Sequence, residues 1–243
     1  MQQRHLPQFN PRPRIQTVPI GPGAACLVVD DALLNPDQLV ELAVLHGAEF
    51  TRAAGSAYPG FELWMPPAFA SRLDDFFRIH LRGPLGGRRT LGLNCRLSMV
   101  TVPPHELDPR QWQCHRDRVA DDPREFLFAA SVLYLFREPR LGGTSFYVPR
   151  QAAAETDRLV ADSQLLDARG FGARYGLQAG YMAGSNAYFE RAAQVGAAWN
   201  RMIFYDGGLF HSGDVDDPQL LSTDPTRGRL TLNAFFTCKR SAR

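Results

Sequence analysis

From residue 91 the apolar residues of this chain recur at every second position, and that period decides the fold class. Leu91, Leu93, Cys95, Leu97 and Met99 alternate with Gly92, Asn94, Arg96 and Ser98, as in a strand with one buried face. Residues 126–136 form an apolar run rich in aromatic and β-branched side chains, which reads as a buried strand. A Gly142-Gly143 turn leads into a further short strand, and segments 199–205, 209–211 and 229–237 complete the set. Earlier in the chain, residues 26–29 make a short strand and two helices are expected. The first opens with Asn35 as cap, Pro36 at the first position and Gln38 closing a capping box. The second follows Pro67, buries Phe69, Leu73, Phe76, Phe77 and Leu81, and stops at Gly83-Pro84. Short helices followed by many strands predict an α+β, mainly β architecture. Its centre is an antiparallel sandwich or barrel, with the N-terminal helices packed on one sheet.

Proline lacks a ladder donor and restricts the residue before it. Residues 1–23, with Pro7, Pro11, Pro13, Pro19 and Pro22, therefore read as an extended or irregular arm. Residues 24–243 read as one domain, a common size for a β sandwich or barrel. An excursion at about 150–195 interrupts it: a helix over 152–166, then a segment carrying Gly170, Gly172, Gly176, Gly180 and Gly184 that is expected on the surface. The balance of 27 basic and 25 acidic residues, net charge +2, gives no reason to expect a nucleic-acid or membrane partner. No apolar run reaches the 18 or so residues of a membrane span, and residues 1–22 contain no apolar signal core. The four cysteines, Cys26, Cys95, Cys114 and Cys238, are widely spread without a CxxC pair. Reduced thiols and a cytoplasmic location are the expectation. Monomer and homodimer both stay open.

Two residues stand out chemically within Gln111-Trp112-Gln113-Cys114-His115-Arg116-Asp117. On an extended segment positions i and i+2 face the same way, so His115 and Asp117 can bind one metal ion from one side. By itself the pair is a weak signal. Six histidines and 17 aspartates in 243 residues give roughly 0.4 such pairs by chance, and a salt bridge in a loop is the plain rival. Downstream, His211 follows the strand over 201–205 and can supply a third ligand. Two histidines and a carboxylate on one face, with open positions opposite, suit a non-haem Fe(II) oxygenase.

The order of these features resembles the Fe(II)- and 2-oxoglutarate-dependent oxygenases, close to the prolyl-hydroxylase-like branch. The similarity runs from about residue 24 to 237. It rests on the stretch 26–33 with its following helix, His115-Arg116-Asp117, Leu133-Tyr134-Leu135 running to Gly142-Gly143-Thr144-Ser145-Phe146, Phe204-Tyr205-Asp206, His211, and Arg229-Leu230-Thr231-Leu232. The resemblance implies a double-stranded β-helix (jelly roll) holding Fe(II) through His115, Asp117 and His211. It implies Arg229 as the grip on the far carboxylate of 2-oxoglutarate, with Arg227 as rival, and Tyr134 and Thr231 as further hydroxyl contacts or ordinary packing. A guanidinium suits that grip because it is always charged and can hold a carboxylate with two parallel bonds. It further implies use of O2, release of succinate and CO2, and oxidation of a C–H bond. Asp117 stands where halogenating relatives have a small residue, so hydroxylation is the expected outcome. The substrate would be a small molecule, an amino acid or a peptide side chain, met by the loops at 101–114, 150–195 and after His211.

Other chemistries find less support. Ser98, Ser131 and Ser145 sit in no nucleophile elbow, and the glycines of 170–184 accompany neither a Walker lysine nor a GxGxxG after a strand. His46, His80 and His105 read as structural or exposed. The remaining alternative is a metal-binding jelly-roll module that is non-catalytic or independent of 2-oxoglutarate. Such a module has no need for the full ligand set together with Arg229.

Overall fold

The computed structural model describes residues 6–52, 55, 57–117 and 124–241. Among these the alternating segment becomes a long strand, β4. The strands in chain order are β1 (Arg14–Gly21), β2 (Ala24–Asp30), β3 (Gly60–Trp64), β4 (Gly87–Val100), β5 (Phe126–Tyr134), β6 (Thr144–Pro149), β7 (Phe189–Val195), β8 (Met202–Asp206), β9 (Phe210–Gly213) and β10 (Arg229–Arg240). Seven of them form one sheet in the order β1-β2-β8-β5-β10-β4-β3; a smaller sheet has the order β7-β6-β9. Every pairing is antiparallel.

The period-two pattern of β10 shows how the layers form. Leu230, Leu232, Ala234 and Phe236 lie in a core shared with the helices α1 (Asp37–Leu45) and α2 (Pro67–His80). There Phe77 stacks on Phe236 with ring centroids 4.0 Å apart. Each such aromatic ring removed from water contributes about 1.5–3 kcal/mol. Arg229, Thr231, Asn233 and Phe235 point to the opposite face, toward the small sheet. A second core lies on that side, where Tyr134, Tyr205 and Ile203 meet Phe146. A third core covers the outer side of the small sheet. It is built from Trp112, Tyr147, Phe171 and Phe189 under α3 (Ala153–Leu165) and α4 (Ala168–Tyr175).

Three local expectations change. Helix α1 begins at Asp37 with Pro36 as its cap and no side-chain cap bond. The Asn35 and Pro36 carbonyls accept from the Gln38 and Leu39 amides, so backbone groups satisfy the first turn without a capping box. Residues 14–21, read as part of an extended or irregular arm, are extended and pair as edge strand β1 against β2. Pro19 fits there because one side of an edge strand needs no ladder donor, and the register shifts between Pro19 and Gly21. The glycine-rich excursion is not purely a surface feature, since Phe171 and Met182 are buried in the third core. Strands β3 and β7 were not anticipated. All four cysteines are free and buried, and no helix among the described residues is long and apolar enough to cross a membrane.

Candidate active site

The site begins as a short two-stranded contact. His115 and His211 exchange both backbone hydrogen bonds, each N···O 2.9 Å, so their side chains leave the same face. The rings sit 4.5 Å apart. Asp117, two residues on, is fixed by its amide donating to the Gly207 carbonyl at 2.9 Å. One Asp117 oxygen lies 3.5 Å from His115 Nε2 and the other 3.4 Å from His211 Nε2. One ligand atom from each of the three residues falls within 4.8 Å of the others.

The donor set fits a divalent transition metal. His211 Nδ1 lies 2.9 Å from the Leu209 carbonyl. A carbonyl only accepts, so Nδ1 carries the proton and Nε2 keeps its lone pair for an ion. Asp117 Oδ2 is buried without a hydrogen-bond partner among the described residues, an orphan that a cation would satisfy. Burial alone would raise the Asp117 carboxyl, but the adjacent His211 and His115 imidazoles outweigh it and hold the group well below the usual carboxylate range. In His211, burial opposes protonation while Asp117 and the Leu209 carbonyl favour it, for a net rise. The sequence brought exactly one acid to two imidazoles, and each perturbs the other.

The same cavity, about 550 Å³, is lined by His115, Asp117, His211 and Arg229. Arg229 is 4% exposed. It donates from Nε to the Leu141 carbonyl at 2.7 Å and from Nη2 to the Gly143 and Gly142 carbonyls at 2.9 and 3.4 Å. Those carbonyls belong to the tight turn that the Gly-Gly pair permits. Gly142 has φ +75°, and a Cβ there would meet the Asp214 carbonyl oxygen at 2.2 Å; on Gly143 it would meet the Val195 oxygen at 2.1 Å. Among the described ion pairs Arg229 has no carboxylate partner. A Cβ on Gly213 would lie 3.2 Å from Arg229 Nη2, which places the guanidinium over β9 two residues beyond His211. On a strand that offset is about 6.5 Å.

The other sequence candidates take different places. Arg227 is exposed and lines a separate cavity with Trp199 and Gln219. Tyr134 is fully buried, and its hydroxyl is shared with Thr144 Oγ1 at 2.8 Å; Thr144, not Tyr134, lines the cavity. Burial pushes the Tyr134 phenol up against the lowering effect of Thr144 and Arg229. Thr231 stands opposite Tyr134 in register and reaches the Ser98 carbonyl at 3.4 Å. Cys114 lines the cavity as well, its thiol raised by burial. Sequence reasoning missed Tyr58, Tyr181, Gln113, Arg96 and Asn233, all in the cavity wall. Asn233 was accessible from β10 alternation and Gln113 from its i−2 relation to His115. The tyrosines sit outside regular strands, where no period marks them. The Tyr58 phenol is raised by burial, with the Arg229 charge and the Thr231 hydroxyl acting the other way.

A family model described as a family of unknown function, DUF6445, matches residues 11–236. The chain belongs to that family. No curated protein sequence matches it. Among solved structures it is similar to a Pseudomonas putida prolyl-4-hydroxylase, at 18% identity and TM-score 0.41, covering 86% of this chain and 89% of that one. It is also similar to HygX from Streptomyces hygroscopicus with nickel, 2-oxoglutarate and hygromycin B bound, at 13% identity and TM-score 0.46, covering 88% and 82%. A third is an N-substituted L-amino acid dioxygenase from Burkholderia ambifaria in complex with alpha-KG, at 13% identity and TM-score 0.39, covering 89% and 86%.

Proposed function

We propose that this DUF6445 member is an Fe(II)- and 2-oxoglutarate-dependent oxygenase, a hydroxylase of C–H bonds built on a double-stranded β-helix. One observation carries the reading: a buried arginine with no ion-pair partner among the described residues and a His-Asp-His cluster open into one cavity. A buried charge is costly to desolvate unless it is paired. The turn carbonyls solvate Arg229 in part, and the carboxylate of a bound dicarboxylate completes its pairing. In this reading His115, Asp117 and His211 hold the iron, and Arg229 holds the distal carboxylate of 2-oxoglutarate one strand repeat away. Bound Fe(II) and 2-oxoglutarate supply the oxidising chemistry, with O2 consumed and succinate and CO2 released.

The chain's own groups do the positioning. The Leu209 carbonyl orients the His211 imidazole, and the paired backbone of His115 and His211 sets the two rings on one face. Asp117 occupies the third position, which leaves no vacancy on the protein side for a halide and favours hydroxylation. The Tyr205 and Phe146 rings flank His211, at 4.7 and 6.5 Å between centroids, and keep its inner side dry. A metal-binding module without cosubstrate would leave the Nη1 donors of Arg229, the two that the turn carbonyls do not engage, without a use. The test is anaerobic addition of Fe(II) and then 2-oxoglutarate to the purified protein. A visible charge-transfer band on the second addition is expected. No band, and no succinate on admitting air, would overturn the assignment.

A further inference from the structure

Charge accounting of the cavity wall points to the class of substrate, an inference that rests on the oxygenase reading. Four arginines line the cavity among the described residues: Arg96, Arg110, Arg116 and Arg229. Three already face acids. Arg96 Nε lies 2.6 Å from Glu62 Oε1, Arg110 Nε 2.8 Å from Asp108 Oδ1, and Arg116 Nη2 3.1 Å from Asp157 Oδ1. Arg96 is further held against the Trp64 and Phe235 rings, at 5.3 and 4.9 Å. The fourth, Arg229, is committed to the cosubstrate. Among the described residues the one carboxylate lining the cavity is Asp117, and it belongs to the metal cluster. Among those lining residues no uncommitted charge of either sign remains for a second ligand.

What remains is neutral and polar. Gln113 is 4% exposed and lines the cavity, yet its Oε1 has no hydrogen-bond partner among the described residues. Asn233, four residues beyond Arg229 on the same face of β10, lines the cavity with a buried Oδ1 that also has no partner among them. Neighbouring Gln111 shows the contrast. Its carboxamide is engaged at both ends, accepting from the Asp108 amide at 2.8 Å and donating to the Ala57 carbonyl at 2.9 Å. Buried polar atoms in native proteins are paired, so two unmet carboxamides facing one cavity call for partners from a ligand. A carboxamide carries an acceptor and two donors and can turn end for end. It therefore selects a group that both donates and accepts, without selecting charge.

We propose that the substrate is a neutral compound bearing hydroxyl or carboxamide groups, one paired with Gln113 and another with Asn233. Gln113 lies two residues from His115 on the same stretch, so its partner group is held beside the metal cluster. The test uses the Zn(II)- and 2-oxoglutarate-loaded protein, which is redox-inert, and ligand-observed saturation-transfer NMR. The probes are myo-inositol, N-acetylprolinamide, anionic N-acetylproline and cationic prolinamide. The neutral probes should bind at least tenfold more tightly than the charged ones, and the stronger of the two identifies hydroxyl or amide recognition. Gln113→Leu and Asn233→Leu should each weaken the neutral probe about tenfold. The Fe(II)–2-oxoglutarate band serves as the control for folding. Preference for N-acetylproline, abolished in Arg96→Gln, would overturn the proposal in favour of a carboxylate substrate. Neutral binding unchanged in both leucine variants, or no binding by any neutral probe, would overturn it as well. If the leucine variants do not fold, the neutral-against-charged comparison in the wild type decides alone. Loss of the wild-type charge-transfer band would instead refute the oxygenase reading, so the two failures are separable.

Discussion

Replacing Arg229 with glutamine separates an anchoring role from a packing role, because its donors divide cleanly. A guanidinium has five N–H donors. Three are engaged by the Leu141, Gly142 and Gly143 carbonyls, which leaves 5 − 3 = 2, both on Nη1, for a ligand carboxylate. Charge-assisted hydrogen bonds contribute about 1.5–3 kcal/mol each. Two of them, at the low end, give about 3 kcal/mol, or roughly a hundredfold in affinity at 1.36 kcal/mol per decade. Arg229→Gln should therefore raise the 2-oxoglutarate dissociation constant about a hundredfold, read by titrating the charge-transfer band anaerobically. It should also lower the melting temperature, since the turn carbonyls lose donors. A loss of about 2 kcal/mol corresponds to roughly 4–8 °C for a chain of this size. Arg227→Ala, at an exposed position, should change neither. A dissociation constant within twofold of wild type in Arg229→Gln, or a large loss in Arg227→Ala, would refute the anchoring argument.

Two further outcomes follow from the same turn and its neighbour. Gly143→Ala forces a Cβ to within 2.1 Å of the Val195 carbonyl, so the turn must move. It should cost about 1–3 kcal/mol in urea unfolding and weaken 2-oxoglutarate binding with it; stability lost without any loss of affinity would show that the turn does not seat Arg229. Asp214 is fully buried, accepting at Oδ2 from Ser145 and Gln194 at 3.0 Å each while Oδ1 has no partner. Burial raises its carboxyl above the ordinary range despite these bonds. A carboxyl raised in the folded state contributes stability below its unfolded value, near 3.9, and that contribution is lost as pH rises through the folded value. Asp214→Asn should thus match or exceed the wild type in urea midpoint at pH 7, with the advantage gone below about pH 4. A variant weaker at pH 7 than at pH 4 would contradict this.

The parts of this protein legible in its sequence are those that a period marks. The alternation of β10, that of β4 from Leu93 onward, the aromatic stripe Phe69, Leu73, Phe76 and Phe77 of α2, and the placing of Arg229 at the start of β10 appear as expected, whereas Leu91, expected on the buried face of β4, is exposed. His115, Asp117 and His211 converge although 211 − 115 = 96 residues separate the two histidines, because β9 pairs with β6 and brings His211 opposite His115. Where no period exists, the reading failed. Residues 14–21 read as extended or irregular, but their prolines hid the pairing with β2, and the glycines of 170–184 concealed Phe171, whose burial depends on Trp112 far away in sequence, at 5.8 Å between rings. Tyr134 ends β5, and only packing shows that its hydroxyl meets Thr144, which lines the cavity in its place.

That division follows the chemistry of the proposed site. The metal cluster and Arg229 are tied by β9, where His211 and Gly213 share a face two residues apart, and by the turn between β5 and β6. Strand spacing then sets the distance between metal and carboxylate anchor, and a rigid repeat is what a cosubstrate of fixed length requires. The remaining walls come from residues 57–59, 110–114, α3 and Tyr181, segments held by individual contacts such as Tyr181 Oη donating to the Val102 carbonyl at 2.6 Å. Changes in those segments can alter the substrate without moving the metal ligands or Arg229. Substitution at Gln113 should accordingly redirect substrate preference while the Fe(II)–2-oxoglutarate chelate persists, and substitution at Arg229 should do the reverse.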